Sequence, residues 1–223
     1  MSPHDRVRPT RRAERWLLGA ILLSAITLGA PEASACHNGV ERAVPITRLV
    51  SRAADALSRH RPARAARLAS RAIRRLRSGR RGARRRLLLG RSKQVLALAT
   101  LRLDGAVNYE RGVVVPSMNA TARRRALRWA LGILEYGYSS DQGPISTARY
   151  AEGLAHFPSQ RARARTLLSR LHRADVMPDA YAYRALAAVS DDPAERAEAL
   201  RACRRRAGAR AGSVCTVTEP GDG

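Results

Sequence analysis

The sequence predicts an all-α protein of about eight helices in four antiparallel hairpins. Three observations lead there. Apolar residues recur at i, i+3, i+4 and i+7 along most of the chain, the period of a one-sided helix. Hydrophobic residues reach 45% while aromatics are only 4%, so Ala and Leu must build the core, and both are strong helix formers. Strand signals shrink to one short β-branched run, Val113 to Val115.

Taken in order, Leu49, Val50, Ala53, Ala54 and Leu57 share a first face. Pro62 can open a second helix, because the first helical position needs no N–H. It carries Leu68, Ala69, Ala72, Ile73 and Leu76 and ends at Gly79 and Gly82. A longer apolar helix runs from Leu87 to Leu103, and residues 104–119 read as irregular. Helix resumes from Ala122 to Tyr138, and Ser139 to Gly143 reads as a turn. Pro144 opens the next helix, which stops at Phe157-Pro158, and Ala164, Leu167, Leu168 and Leu171 mark another. Pro178 begins a short helix with Tyr181, Tyr183 and Leu186. Asp192-Pro193-Ala194-Glu195 begins the last, with Asp as N-cap and Glu three residues on, as in a capping box. Beyond Gly208 the residues read as a short polar tail, except for Val214 and Val217.

The first 35 residues have the three parts of a secretory signal. Five Arg between Arg6 and Arg15 precede an uncharged run from Trp16 to Ala30. Pro31 breaks that run, and Ala33-Ser34-Ala35 offers small residues before Cys36. The apolar run is shorter than the roughly 20 residues that span a bilayer. Cleavage between Ala35 and Cys36 is expected. It would divide the chain into a signal (1–35), a short mature start (36–42), a helical domain (43–208) and a tail (209–223). The mature protein would be periplasmic or secreted and not transmembrane. Cys36 also sits where a lipoprotein is acylated, but Glu32 and Ala33 do not suit that signal. Three cysteines allow one disulfide. Cys203 with Cys215 would close a short C-terminal loop, and Cys36 with either is the alternative.

Charge narrows the partners. The net charge is +24, and loss of residues 1–35, with five Arg and three acids, leaves +22. Lys93 is the single Lys among 42 basic residues, a ratio that points to high-GC coding as much as to selection. Arg80, Arg81, Arg84, Arg85 and Arg86 straddle a Gly-containing turn and a helix start. There they oppose the positive end of the helix dipole, which makes them candidate contacts for an envelope polyanion such as lipopolysaccharide. Aromatic residues do not interleave with them as in single-strand binders, and export removes nucleic acid from reach. A nucleic-acid role is expected only if the signal is unused.

Catalytic and metal spacings are absent. No two His stand at i, i+4, no Cys-x-x-Cys occurs, and phosphate-loop and Gly-x-Ser-x-Gly patterns are missing. No enzyme, cofactor or metal is expected. Small residues recur instead: Leu49, Ala53, Ala56, Ala65, Ala69 and Ala72. They return as Ala148, Ala151, Ala155, Ala164, Leu168 and Leu171, and more loosely as Tyr183, Leu186, Ala199 and Cys203. Over residues 43–208 this resembles the tetratricopeptide repeat, in which small side chains let paired helices approach. The usual Gly and Tyr of the first helix are missing. The resemblance implies a right-handed array with a concave face that holds a protein partner; an irregular helical bundle is the alternative architecture.

Overall fold

The computed structural model describes residues 45–78 and 82–217. The leader, the Ala35–Cys36 junction, Arg80, Arg81 and the last six residues lie outside them. The fold is all-α. Eight helices follow one another: α1 (Ile46–Ser58), α2 (Pro62–Arg77), α3 (Ala83–Arg102), α4 (Ala120–Ser140), α5 (Pro144–Leu154), α6 (Arg161–Arg173), α7 (Ala180–Val189) and α8 (Pro193–Ala207). A four-residue helix, α9 (Ala211–Val214), closes the described chain.

Local chemistry sets the boundaries. Pro occupies the first turn of α2, α5 and α8. Side-chain oxygens of Asn119, Asp179 and Asp192 accept from the N–H groups of Ala122, Ala182 and Ala194, capping α4, α7 and α8. Three helices end the same way. His60, Asp104 and Asp175 adopt φ near +50° two residues past α1, α3 and α6. The next N–H then reaches five residues back, from Arg61 to Ala56, Gly105 to Thr100 and Val176 to Leu171. This is the Schellman bond, made without Gly at its left-handed position.

Consecutive helices pack as hairpins, α1 on α2 through α7 on α8. Alanine makes the approach close: Ala53, Ala65, Ala69 and Ala72 are fully buried between α1, α2 and their neighbours. The odd helices also pack on one another, α1 on α3, α3 on α5 and α5 on α7; among the described residues the even helices show no comparable packing. One hydrophobic cluster joins the N-terminal helices through Leu96, Leu101 and Leu127. Another joins the C-terminal ones through Leu154, Leu168 and Leu186.

Five sequence expectations need correction. Residues 104–119 are not wholly irregular. β1 (Val107–Asn108) pairs antiparallel with β2 (Val113–Val114), and Gly112, at φ +67°, lies where a Cβ would collide with Ser70. The helix predicted to end at Tyr138 continues to Ser140, and α3 begins at Ala83 rather than Leu87. Glu195 does not fold back as a capping-box partner. It accepts from Ser169 Oγ at 2.7 Å and from Ser190 Oγ, tying α6 to α8. The tail does not begin at residue 209: Val214 and Cys215 are buried in the C-terminal core, so the helical domain extends to residue 217.

Cys203 of α8 and Cys215 are disulfide-bonded, with Cα atoms 5.9 Å apart. A 13-residue loop closed in this way stabilises the native state by ~3 kcal/mol in the chain-entropy description. Replacing both cysteines by Ser should lower unfolding stability by about that amount in urea titration, with residues 208–217 the first to lose hydrogen-exchange protection.

Candidate functional site

Near its last turn α3 carries a charge that its apolar surroundings do not anticipate. Arg102 has a side chain only 4% exposed. Its Nε donates to Glu152 Oε1 at 3.0 Å and its Nη2 to Glu152 Oε2 at 3.1 Å and Asp179 Oδ2 at 2.8 Å. Glu152 belongs to α5, and Asp179 is the residue that caps α7. The guanidinium also lies 3.9 Å from the ring centroid of Tyr181. One side chain thus fastens three odd helices together. Burial works against the charge of Arg102, but Glu152 and Asp179 overcome it and hold its pKa above the ordinary value. Burial likewise opposes ionisation of Asp179, yet Arg102 wins and the carboxyl is held below its usual range.

In front of this triad the odd helices enclose a groove of about 680 Å³. α1 contributes Val50, Ala54 and Leu57. α3 contributes Arg91, Gln94, Val95, Leu98 and Arg102, and α5 adds Ile145 and Arg149. Asp179, Arg206 of α8 and His60 complete the wall. Four guanidinium groups face one carboxylate. Arg91, Arg149 and Arg206 have no hydrogen-bonding or ion-pairing partner among the described residues, whereas Arg102 is neutralised. Arg149 is half-buried, and burial first and the charge of Arg102 second push its pKa down. Asp179 and Glu152 attract it from a distance and offset this only in part, so it is a partly desolvated cation without a direct ion pair among the described residues. Behind the triad lies a smaller cavity of about 270 Å³, walled by Glu152, Asp104, His156, Arg184 and Val217.

His60 closes the groove where the first hairpin turns. Its ring lies 5.5 Å from that of Tyr181, and its Nδ1 is buried without a hydrogen-bond partner. Burial, with the positive charge of Arg102 next, lowers its pKa; Asp179 pulls the other way and Arg210 adds to the lowering.

The predicted polyanion corner is only partly described. Arg84 and Arg86 are exposed in the first turn of α3, which contains no acid, and Arg85 of the same turn is half-buried. None of the three lines the groove. The three described members of that set are thus separate from the four that the fold gathers. Asp191 and Asp192 are not a carboxylate pair: Asp192 caps α8, and Asp191 binds Arg165 at 2.8 Å. His156 and His172 lie apart, beside Asp104 and Glu198 respectively. Among the described residues no three His, Cys, Asp or Glu side chains stand close enough to hold a metal ion, and no helix is long and apolar enough to cross a membrane. Comparison of the chain with family models, with curated proteins and with solved structures finds no match.

Sequence reasoning passed over Arg102, Glu152, Asp179, Arg149 and Arg206. A usable signal existed. Glu152 is a lone acid inside Tyr150-Ala151-Glu152-Gly153-Leu154, and a charge in an all-buried turn requires a buried partner.

The lowered pKa of His60 has a definite sign. The unfolded chain takes up its proton near the ordinary value of about 6.5, before the folded one does. Stability conferred by neutral His60 is therefore complete above about pH 6.5 and declines as pH falls toward the folded value. Asp179, Asp104 and Glu195, all held below their ordinary pKa values, add their losses only below about pH 4. The urea midpoint should drop between pH 7 and pH 5. His60→Asn, which tolerates the positive φ, should flatten that interval and leave the decline below pH 4 intact.

Proposed function

We propose that the protein is an exported, non-catalytic helical-repeat scaffold, tetratricopeptide-like in construction, that holds a segment of a protein partner in the groove of its odd helices. The observation that carries this reading is the groove itself: about 680 Å³, walled by four successive odd elements and mixing aliphatic with cationic side chains. Stacked hairpins offer a concave surface of this kind to an extended partner. The buried small residues Ala53, Ala65, Ala69, Ala148, Ala151 and Ala164 support the repeat reading, since they occupy the positions at which the resemblance was drawn. Export rests on the leader sequence and on the Cys203–Cys215 bond, which suits an oxidising compartment.

A second reading draws on the exposed, acid-free first turn of α3. There Arg84 and Arg86, with Arg80 and Arg81 before them in sequence, would contact an anionic envelope polymer. Such binding would weaken steeply with salt.

The two readings separate by where a partner attaches. A photo-crosslinking residue at Ile145, exposed at the groove rim, should capture a discrete protein partner from the exporting cell. The same residue at Tyr136, 77% exposed on α4 and outside the groove, should not. The capturing chain itself should have the mass of a protein that begins at Cys36. Equal capture from both positions, or an intact Met1 on the soluble protein, would contradict the scaffold reading.

A further inference from the structure

We infer that the groove selects an acidic, extended peptide segment whose two carboxylates stand four residues apart with an apolar residue midway; this rests on the scaffold reading above. The argument begins with charge. Glu152 and Asp179 already neutralise Arg102. The groove still presents Arg91, Arg149 and Arg206, and no acid beyond Asp179 lines it. Arg149 loses hydration on folding and forms no direct hydrogen bond or ion pair among the described residues; burial and Arg102 depress its pKa, and the nearby charges of Asp179 and Glu152 only partly offset them. An incoming carboxylate supplies the direct partner that Arg149 lacks and reduces that penalty. Guanidinium binds carboxylate in a planar, two-point manner.

Spacing follows from the helix. Arg91 and Arg102 lie on one stripe of α3, and eleven residues of helix rise cover about 16 Å. Val95 and Leu98, largely buried in the N-terminal core, line the groove between them, and the exposed Ile145 lines it as well. Arg149 belongs to the Arg102 end of the stripe, since the charge of Arg102 acts on it. The wall is therefore cationic, apolar, cationic. An extended chain advances about 3.3 Å per residue and turns alternate side chains to one face. Acids at i and i+4 then span about 13 Å on the face that also presents residue i+2, and the reach of two Arg side chains covers the difference. The acids meet Arg91 and Arg149, and the residue between them meets Val95 and Leu98. A compact inorganic anion would leave the apolar middle bare, and a sequence-blind polymer would ignore it.

The test uses the mature, disulfide-bonded protein and three fluorescent peptides. One carries the core Asp-Ser-Leu-Ser-Asp, one the same residues with both Asp adjacent, and one Lys in place of each Asp. The spaced peptide should bind at least ten-fold more tightly than the adjacent one, and the Lys peptide should not bind. Arg91→Gln and Arg149→Gln should each weaken the spaced peptide about ten-fold. Because Arg149 makes no direct hydrogen bond or ion pair and its burial outweighs the attraction of Asp179 and Glu152, R149Q should keep or raise the melting temperature, a result that a structural Arg would not give. Equal binding of the two acidic peptides, no binding of any, or unchanged affinity in both variants would overturn the proposal. Displacement by heparin as effective on the adjacent as on the spaced peptide would overturn it in favour of a polyanion surface. If a partner still crosslinks at Ile145 while the peptides fail, this inference falls and the scaffold reading stands.

Discussion

The buried contact of Arg102 with Glu152 and Asp179 is the constraint around which the rest of the molecule is organised. It joins α3, α5 and the start of α7, helices far apart in sequence, through one guanidinium. Leu and Ala contacts permit many relative slides of two helices, because the hydrophobic effect is non-directional. A two-point Arg–carboxylate pair with a second carboxylate on the same Nη2 does not. It sets the level at which the odd helices meet, and so the depth and wall of the groove. Buried ion pairs often contribute little net stability while breaking one is costly. The triad is better understood as a device that specifies arrangement than as a reservoir of stability.

Electrostatics then divides the groove into spent and unspent charge. Arg102 is neutralised within the fold and held above its ordinary pKa, whereas Arg149 nearby is destabilised by burial and by Arg102 itself. A fold that tolerates such a cation gives up some stability, as binding surfaces commonly do. The disulfide contributes from the other side. It holds Val214 and Cys215 in the core of α8, and so keeps Val217 at the cavity behind Glu152. The segment read as a polar tail lines the cavity beside Glu152 through Thr216 and Val217.

The all-α class and most helix starts were legible because they depend on local chemistry. Pro62, Pro144, Asp192-Pro193 and the Ala-Leu periodicity act within a few residues. The Schellman turns at His60, Asp104 and Asp175 were not read, because no Gly marks them. The α9 segment was missed because its burial comes from the Cys203–Cys215 link and not from its own pattern. The groove was illegible for a related reason. Arg91, Arg102, Arg149 and Arg206 are spread over 116 residues, and among 42 basic residues nothing local separates them from the solvated Arg of α2. The dense run near residue 80 drew attention by proximity in sequence, whereas the fold assembles charge by proximity in space. Only Glu152, an acid in an apolar turn, announced a buried partner.

The central claim is that Arg102 and Glu152 act as a unit that sets how the odd helices meet. A double-mutant cycle with Arg102→Met and Glu152→Leu, read by urea unfolding, tests it most directly. Each single replacement should cost about 3–5 kcal/mol by stranding a buried charge, and the double variant should regain most of that loss, giving a coupling of at least ~2 kcal/mol. Losses that simply add would show that the two side chains act independently and would contradict the account.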